Sequence, residues 1–233
     1  MKNLLIYINP AKSFGSIHND DRMVETQIDN SLDFFEPKDI LFVTNFPYKY
    51  HGVKSLIVPD DLFCEIKAKA SKINAIIYLL ENGLLGDLTW FHDLDAFQLS
   101  PIELNLDRDA GFTDYGWRDH WNTGSIFFKP NALDIFKLIK HRVYKWRTNE
   151  ELALRSLTKV NEYDINSRYR KINISYNLGA HCLDYGLDYV DSISEKPVKV
   201  AHFPPYNSNI FEMYKPILTR NLIKLINEKY YSQ

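Results

Sequence analysis

Short apolar runs alternate with amphipathic stretches over the first hundred residues, and this alternation predicts a sheet with helices on its faces. Leu4 to Ile8 is a continuous apolar run stopped by Asn9-Pro10, the pattern of a strand buried on both sides. Met23, Val24, Ile28, Leu32 and Phe35 then recur near helical spacing from Asp21 onward, and Pro37 closes the helix they predict. Asp39 to Asn45 repeats the strand-then-polar-loop pattern, and Ser55 to Val58 predicts a third strand ended by Pro59. Asp60 is placed to cap a long helix carrying Leu62, Phe63, Ile66, Ile73, Ile77 and Leu80, with Gly83 as its stop. Leu88 to His92 is the next strand. Such alternation indicates an α/β fold with a mainly parallel central sheet, in which ligands bind beyond the carboxyl ends of the strands.

The second half is less regular. A polar, aromatic stretch from Asn105 to His120 precedes a strand at Ser125 to Phe128, helices near Asn131–Trp146 and Thr148–Val160, a late strand at Val198 to His202 and a final helix at Ile217–Tyr230. No repeat and no Ser/Gly-rich linker divides the chain, so one domain over residues 1–233 is expected. A content of 45% hydrophobic residues with only 9 Gly and 10 Pro excludes disordered and collagen-like classes. A formal charge of −2 argues against a surface devoted to nucleic acid. Cys64 and Cys182 form neither a disulfide framework nor a zinc knuckle, and read as buried small side chains in a reducing compartment. The apolar N-terminus is too short for a signal peptide or for the roughly 20 residues of a membrane span. The expected location is cytoplasmic, and the Asn173-Ile174-Ser175 sequon is then a chance match.

The chemistry concentrates in Trp90 to Phe97, where an apolar strand runs into two carboxylates, Asp93 and Asp95, one residue apart. At strand period they face one way with Cα atoms about 6–7 Å apart, a span that two side chains close around a divalent ion with oxygen contacts near ~2.1 Å. Asp-x-Asp is also a common turn or cap, and its place at the end of a buried strand favours a site. The strand plus Asp-x-Asp resembles the metal-binding motif of GT-A-fold glycosyltransferases, enzymes that move a sugar from a nucleotide-diphosphate donor. Trp121-Asn122-Thr123-Gly124 running into Ser125–Phe128 is similar to the Asn-x-Gly segment and apolar strand that follow that motif, with Asn122 lying 27 positions after Asp95. Val198 to Phe203 resembles the late strand whose His, here His202, completes the metal site in several such families. These three segments cover the middle and end of the chain, and the earlier strand–helix units match in pattern only. Size and the lack of an anchor are most similar to small bacterial or viral members, which in the viral case would act in the host cytoplasm.

The resemblance implies a divalent ion held by Asp93 and Asp95, with His202 as a third ligand whose imidazole nitrogen favours manganese over magnesium. The ion would stabilise charge on the departing diphosphate. The donor, implied to be a UDP-sugar, would meet Asn9, Thr44 and Asn45 in the loops after the first two strands, although all three are also good turn formers. Of Lys67, Lys69 and Lys72, Lys72 is the first choice for a donor-binding cation and Lys69 the second, against the commoner alternative of solvated helix-face lysines. Glu150-Glu151 opens a helix. Thr148-x-x-Glu151 has the form of a capping box, which would occupy Glu151 and leave Glu150 as the preferred catalytic carboxylate, with Asp119 its rival. Asn122 is expected at the transferred sugar, and Trp121, Tyr176 and Asn177 at the sugar or acceptor, with Tyr115 and Trp117 adding aromatic faces. Residues 1–100 would serve the nucleotide and residues 101–233 a glycan or glycoconjugate acceptor. Two alternatives stand beside this reading. A nucleotidyltransferase or phosphotransferase would use the same carboxylates, but Asn9 to Gly15 is only a faint Gly-rich loop and G-x-x-x-x-G-K-[S/T] is absent. A non-catalytic carbohydrate-binding protein would have no use for Asp93, Asp95 and His202.

Overall fold

The computed structural model describes residues 1–15, 20–116 and 120–232. The chain opens with β1 (Lys2–Tyr7), α1 (Asp21–Leu32) and β2 (Ile40–Thr44). A small hairpin, β3 (Lys49–Tyr50) with β4 (Val53–Lys54), leads to β5 (Leu56–Ile57), α2 (Ser71–Glu81), β6 (Thr89–His92) and β7 (Ala96–Gln98). Next come β8 (Ala110–Asp114), β9 (Trp121–Phe128), α3 (Leu133–Trp146), α4 (Glu150–Lys159) and β10 (Tyr169–Lys171). The chain finishes with β11 (Leu178–Gly179), α5 (Ala180–Leu183), α6 (Leu187–Ile193), β12 (Val200–His202), α7 (Ser208–Tyr214) and α8 (Arg220–Ile226).

Seven strands form the central sheet in the order β10-β8-β9-β6-β1-β2-β5. Among the described residues only β9 runs antiparallel to its neighbours there, so the sheet is mainly parallel, as the alternating pattern predicts. Period-2 side-chain alternation splits each buried strand between two cores. Leu4, Val43, Phe91, Ile126 and Phe128 pack with α2, α3 and α4 on one face, whereas Leu5 and Phe42 join Met23, Val24 and Ile28 of α1 and Leu222 and Ile226 of α8 on the other. A second sheet, β11-β12-β7, lies on the α1 side and carries one edge of the site. Cys64 and Cys182 are free, buried thiols. Among the described residues no helix is long and apolar enough to cross a membrane.

Several local expectations are corrected. The long helix from Asp60 is two 3-10 turns, Asp60–Leu62 and Ala68–Ala70, before α2 begins at Ser71. Phe63 and Lys67 are extended, and the Ser71 hydroxyl takes the Cys64 N–H at 2.8 Å, so Leu62, Phe63 and Ile66 reach the core from a loop. Asn149, rather than Thr148, caps α4: its side chain accepts the Leu152 N–H at 2.8 Å, while Thr148 N–H bonds to Val143 O. Glu151 is thereby released from the expected capping box. The Asn105–His120 stretch contains a strand, β8, and the C-terminal helix gives way to a π-turn at Asn227–Tyr231. Asp119 and Trp117 lie outside the described residues.

Candidate active site

β6 stops at His92, and Asp93 to Asp95 form a turn closed by the Ala96 N–H donating to Asp93 O at 3.1 Å. The turn, not the strand alternation expected from the sequence, brings the two carboxylates to one side. β9 supports it from below, with Gly124 O accepting the Asp93 N–H at 2.9 Å. β7 then pairs antiparallel with β12, which sets Ala96 opposite His202 and lets the Phe203 N–H reach Asp95 O at 2.9 Å. This pairing carries His202, 107 positions further along, to Asp95: its Nε2 stands 3.1 Å from Asp95 Oδ1. One ligand atom each from Asp93, Asp95 and His202 lie within 4.8 Å of one another. Two carboxylate oxygens and an imidazole nitrogen at that spacing suit a divalent cation. Space for the ring comes from Gly124, where a Cβ would stand 2.1 Å from His202 Cε1.

Ion pairs of a buried lysine support the triad from behind. The Lys72 ammonium, with a side chain only 7% exposed, donates to Asp93 Oδ1 at 3.1 Å and to Thr123 O at 3.1 Å, and lies 3.2 Å from Glu150 Oε1. Burial acts against its charge, but Asp93 and Glu150 outweigh it and hold the ammonium above the ordinary lysine range. Glu150 is the mirror case: burial raises its carboxyl, and Lys72 together with the Thr123 hydroxyl pulls it below the ordinary value. Its second oxygen, Oε2, is buried without a hydrogen-bond partner among the described residues. Next door, Glu151 accepts the Tyr115 hydroxyl and the Thr123 N–H at 3.2 and 3.1 Å, yet burial prevails and keeps its carboxyl above the usual range. At the triad, desolvation acts on both partners, and the mutual attraction of Asp95 and His202 lowers the carboxyl and raises the imidazole.

These groups line a cavity of about 810 Å³ beyond the carboxyl ends of β1 and β6. Asn9, Lys69, Lys72, Asp93, Asp95, Asn122, Glu150 and His202 reach it, together with Tyr115, expected only as an aromatic face, Glu151, set aside for a capping box, and Tyr206, which the sequence did not single out. Lys72 is buried and paired, unlike a solvated helix-face lysine, whereas Lys69 is an exposed cation at the rim. Other candidates are turned elsewhere. Thr44 hydrogen-bonds within its own loop to Phe46 O, and Asn45 ties the loops after β1 and β2 together through Asn9 O and Asp60, both at 2.9 Å. Asn9 lines the cavity, but its Nδ2 donates to the Tyr7 hydroxyl and Ser13 O and its Oδ1 accepts the Ala11 N–H, so its polar atoms order the loop. Trp121 packs against Phe112 and Tyr169 and donates to Thr158 Oγ1 at 2.9 Å, away from the cavity. Tyr176 borders a separate hollow of about 450 Å³ with Glu103 and Arg170. Asn177 is buried behind His202. Tyr115 meets Glu151 through its hydroxyl, a role its place in the aromatic stretch did not show; Glu151 was hidden by a capping box that does not form, and Tyr206, between β12 and α7, carries no motif that marks it.

Comparison with solved structures places this architecture. The chain superposes on the glycosyltransferase GlyE of Streptococcus pneumoniae TIGR4 with a TM-score of 0.60 at 13% identity, covering 97% of this chain and 63% of that one, so it spans under two thirds of GlyE. It matches the galactosyltransferase LgtC, solved with donor and acceptor sugar analogs, at a TM-score of 0.59 and 13% identity over 98% of this chain and 96% of LgtC. A glycosyltransferase involved in glycosylation of the major capsid of PBCV-1 gives 0.56 at 14% identity over 93% and 99% of the two chains. No family model matches the chain, and no curated protein matches it by sequence. The mainly parallel sheet, the antiparallel β9 and the second small sheet are thus the GT-A fold found in these glycosyltransferases.

Proposed function

We propose that the protein is a metal-dependent glycosyltransferase that moves a sugar from a nucleotide-diphosphate donor, a UDP-sugar, to a glycan or glycoconjugate acceptor in the cytoplasm. The observation that carries this reading is the convergence of Asp93, Asp95 and His202 within 4.8 Å at a cavity beyond the sheet's carboxyl edge, in a GT-A fold. Those three residues would hold the cation, manganese being our choice for a site of mixed oxygen and nitrogen ligands. When bound, the ion offsets the negative charge of the diphosphate leaving group. Lys69 at the rim would meet the same phosphates, and Lys72 pairs with Asp93 and keeps Glu150 ionised from behind. Asn122 faces the cavity from β9 and is assigned to the transferred sugar. Glu150, which lines the cavity and whose buried Oε2 has no hydrogen-bond partner among the described residues, is our choice for the carboxylate that takes the acceptor hydroxyl's proton or steadies positive charge on the sugar. Residues 1–100 would serve the nucleotide and 101–233 the acceptor within one domain.

The test is calorimetric titration of UDP with manganese, with chelator and with Asp95→Asn, followed by a panel of UDP-sugars. LgtC makes a galactosyl donor the first to try. Manganese-dependent UDP binding that disappears in Asp95→Asn supports the proposal. Binding of a different nucleotide with metal, or of a free glycan without it, overturns it in favour of a nucleotidyltransferase or a carbohydrate-binding protein.

A further inference from the structure

Asn177 stands behind His202, on the side away from Asp95, and the proposed transfer gives it no task. It is fully buried just ahead of β11, which pairs parallel with β12 so that Gly179 lies opposite His202. Its Oδ1 is 3.0 Å from His202 Nδ1. The orientation of that amide is fixed from the other end, because Nδ2 donates to Thr113 Oγ1 at 2.9 Å and to Asn122 O at 3.3 Å. Reversing the amide would set an oxygen against the Asn122 carbonyl and an NH2 group against the ring, so only the carbonyl can face His202. A second constraint comes from β9. A Cβ at residue 124 would lie 2.5 Å from Nδ1 and 2.1 Å from Cε1, so the ring fits in this rotation only against glycine.

We propose that Asn177 is a positioning residue for the metal site: its carbonyl accepts the Nδ1–H of His202 and so presents Nε2, the nitrogen beside Asp95, to a divalent cation. Which nitrogen of a histidine ligates is set by the hydrogen bond the other makes, and losing such a partner costs about 10–100-fold in metal affinity. The inference rests on reading Asp93, Asp95 and His202 as cation ligands and adds a residue that touches neither ion nor sugar. It also links Thr113 and Gly124 to the site through the ring they support, and gives the Asn122 backbone carbonyl a part separate from that of its side chain.

The test compares manganese affinity, from the free-ion paramagnetic resonance signal, in the wild type, Asn177→Leu and Asn177→Asp. Leu keeps similar volume and removes the acceptor. Asp keeps an acceptor toward Nδ1, and the Thr113 hydroxyl can rotate to donate to its second oxygen, which nevertheless faces the Asn122 carbonyl, so its rescue is partial. A loss of about tenfold or more in Leu, with part of it recovered in Asp, is the expected result. In the zinc-loaded wild type, nitrogen NMR of His202 should show a slowly exchanging proton on Nδ1 and a metal-shifted Nε2, and the protected proton should vanish in Asn177→Leu. If Asn177→Leu does not fold, Thr113→Val, which removes the acceptor that orients the amide, should weaken manganese binding in the same sense. Unchanged affinity in a folded Leu variant, or equal losses in Leu and Asp, overturns the inference alone. A wild type that binds no divalent cation overturns the metal reading and this inference together.

Discussion

At the scale of single residues the site depends on two positions whose neighbours leave no slack. Gly124 has ordinary backbone angles, so the cost of Gly124→Ala comes from contact: the new methyl occupies the space of the His202 ring. Overpacking of this kind costs about 1–3 kcal/mol. Gly124→Ala should therefore lower the unfolding free energy measured in urea by that amount and weaken manganese binding, both measured on the same protein. Lys72 is the second such position, since its ammonium is the partner of a buried Glu150. Lys72→Met should destabilise by roughly 3–5 kcal/mol, because it strands a buried carboxylate. Adding Glu150→Gln to that variant should restore part of the loss in a double-mutant comparison, and strict additivity would show that the pair does not interact. The carboxylates and His202 were legible in the sequence because their residue types announce metal chemistry. Asn177 was legible only as a polar residue in a polar–aromatic stretch, since its partner is brought to it by the β11–β12 pairing.

At the scale of elements, the N-terminus of α4 decides how the two glutamates behave. Asn149→Ala removes the side chain that caps the Leu152 N–H and should cost about 1 kcal/mol by chemical denaturation. The neighbouring carboxyls carry opposite linkage to pH. Glu150 has its folded-state value depressed, so its contribution is present above the unfolded glutamate range and is lost as pH falls through the folded value. Glu151 has its value raised, so its contribution is complete below that range and is lost as pH rises through the folded value. Urea unfolding at pH 4 and pH 7 should show Glu150→Gln losing more stability at pH 7, and Glu151→Gln recovering stability at pH 7 relative to pH 4. The same direction of change in both would contradict the geometry of α4. Sequence reading found α1, α3 and the strands of the parallel half because their apolar periods are long. It misread residues 60–70, where turns place Leu62, Phe63 and Ile66 in the core at spacings a helix would also give.

For the whole molecule, the cavity is assembled from β1, β6, β9, α2, α4 and β12, so a ligand that bridges them should stabilise the entire fold. Manganese with UDP at about 100 times the dissociation constant should add roughly 2.7 kcal/mol to the unfolding free energy. The rise in thermal midpoint should disappear with chelator and in Asp95→Asn. By itself the sequence determined the α/β class, the parallel half of the sheet and the residue types of a metal site, because burial on both faces of a strand and paired carboxylates leave local marks. Tertiary structure alone decided which of those residues meet. His202 reaches Asp95 through antiparallel pairing of β7 with β12, Lys72 reaches Glu150 through the packing of α2 near α4, and Trp121 is drawn into the core against Tyr169. Contacts between segments so far apart follow from how strands register and helices pack, and the residues within each segment carry no local record of them.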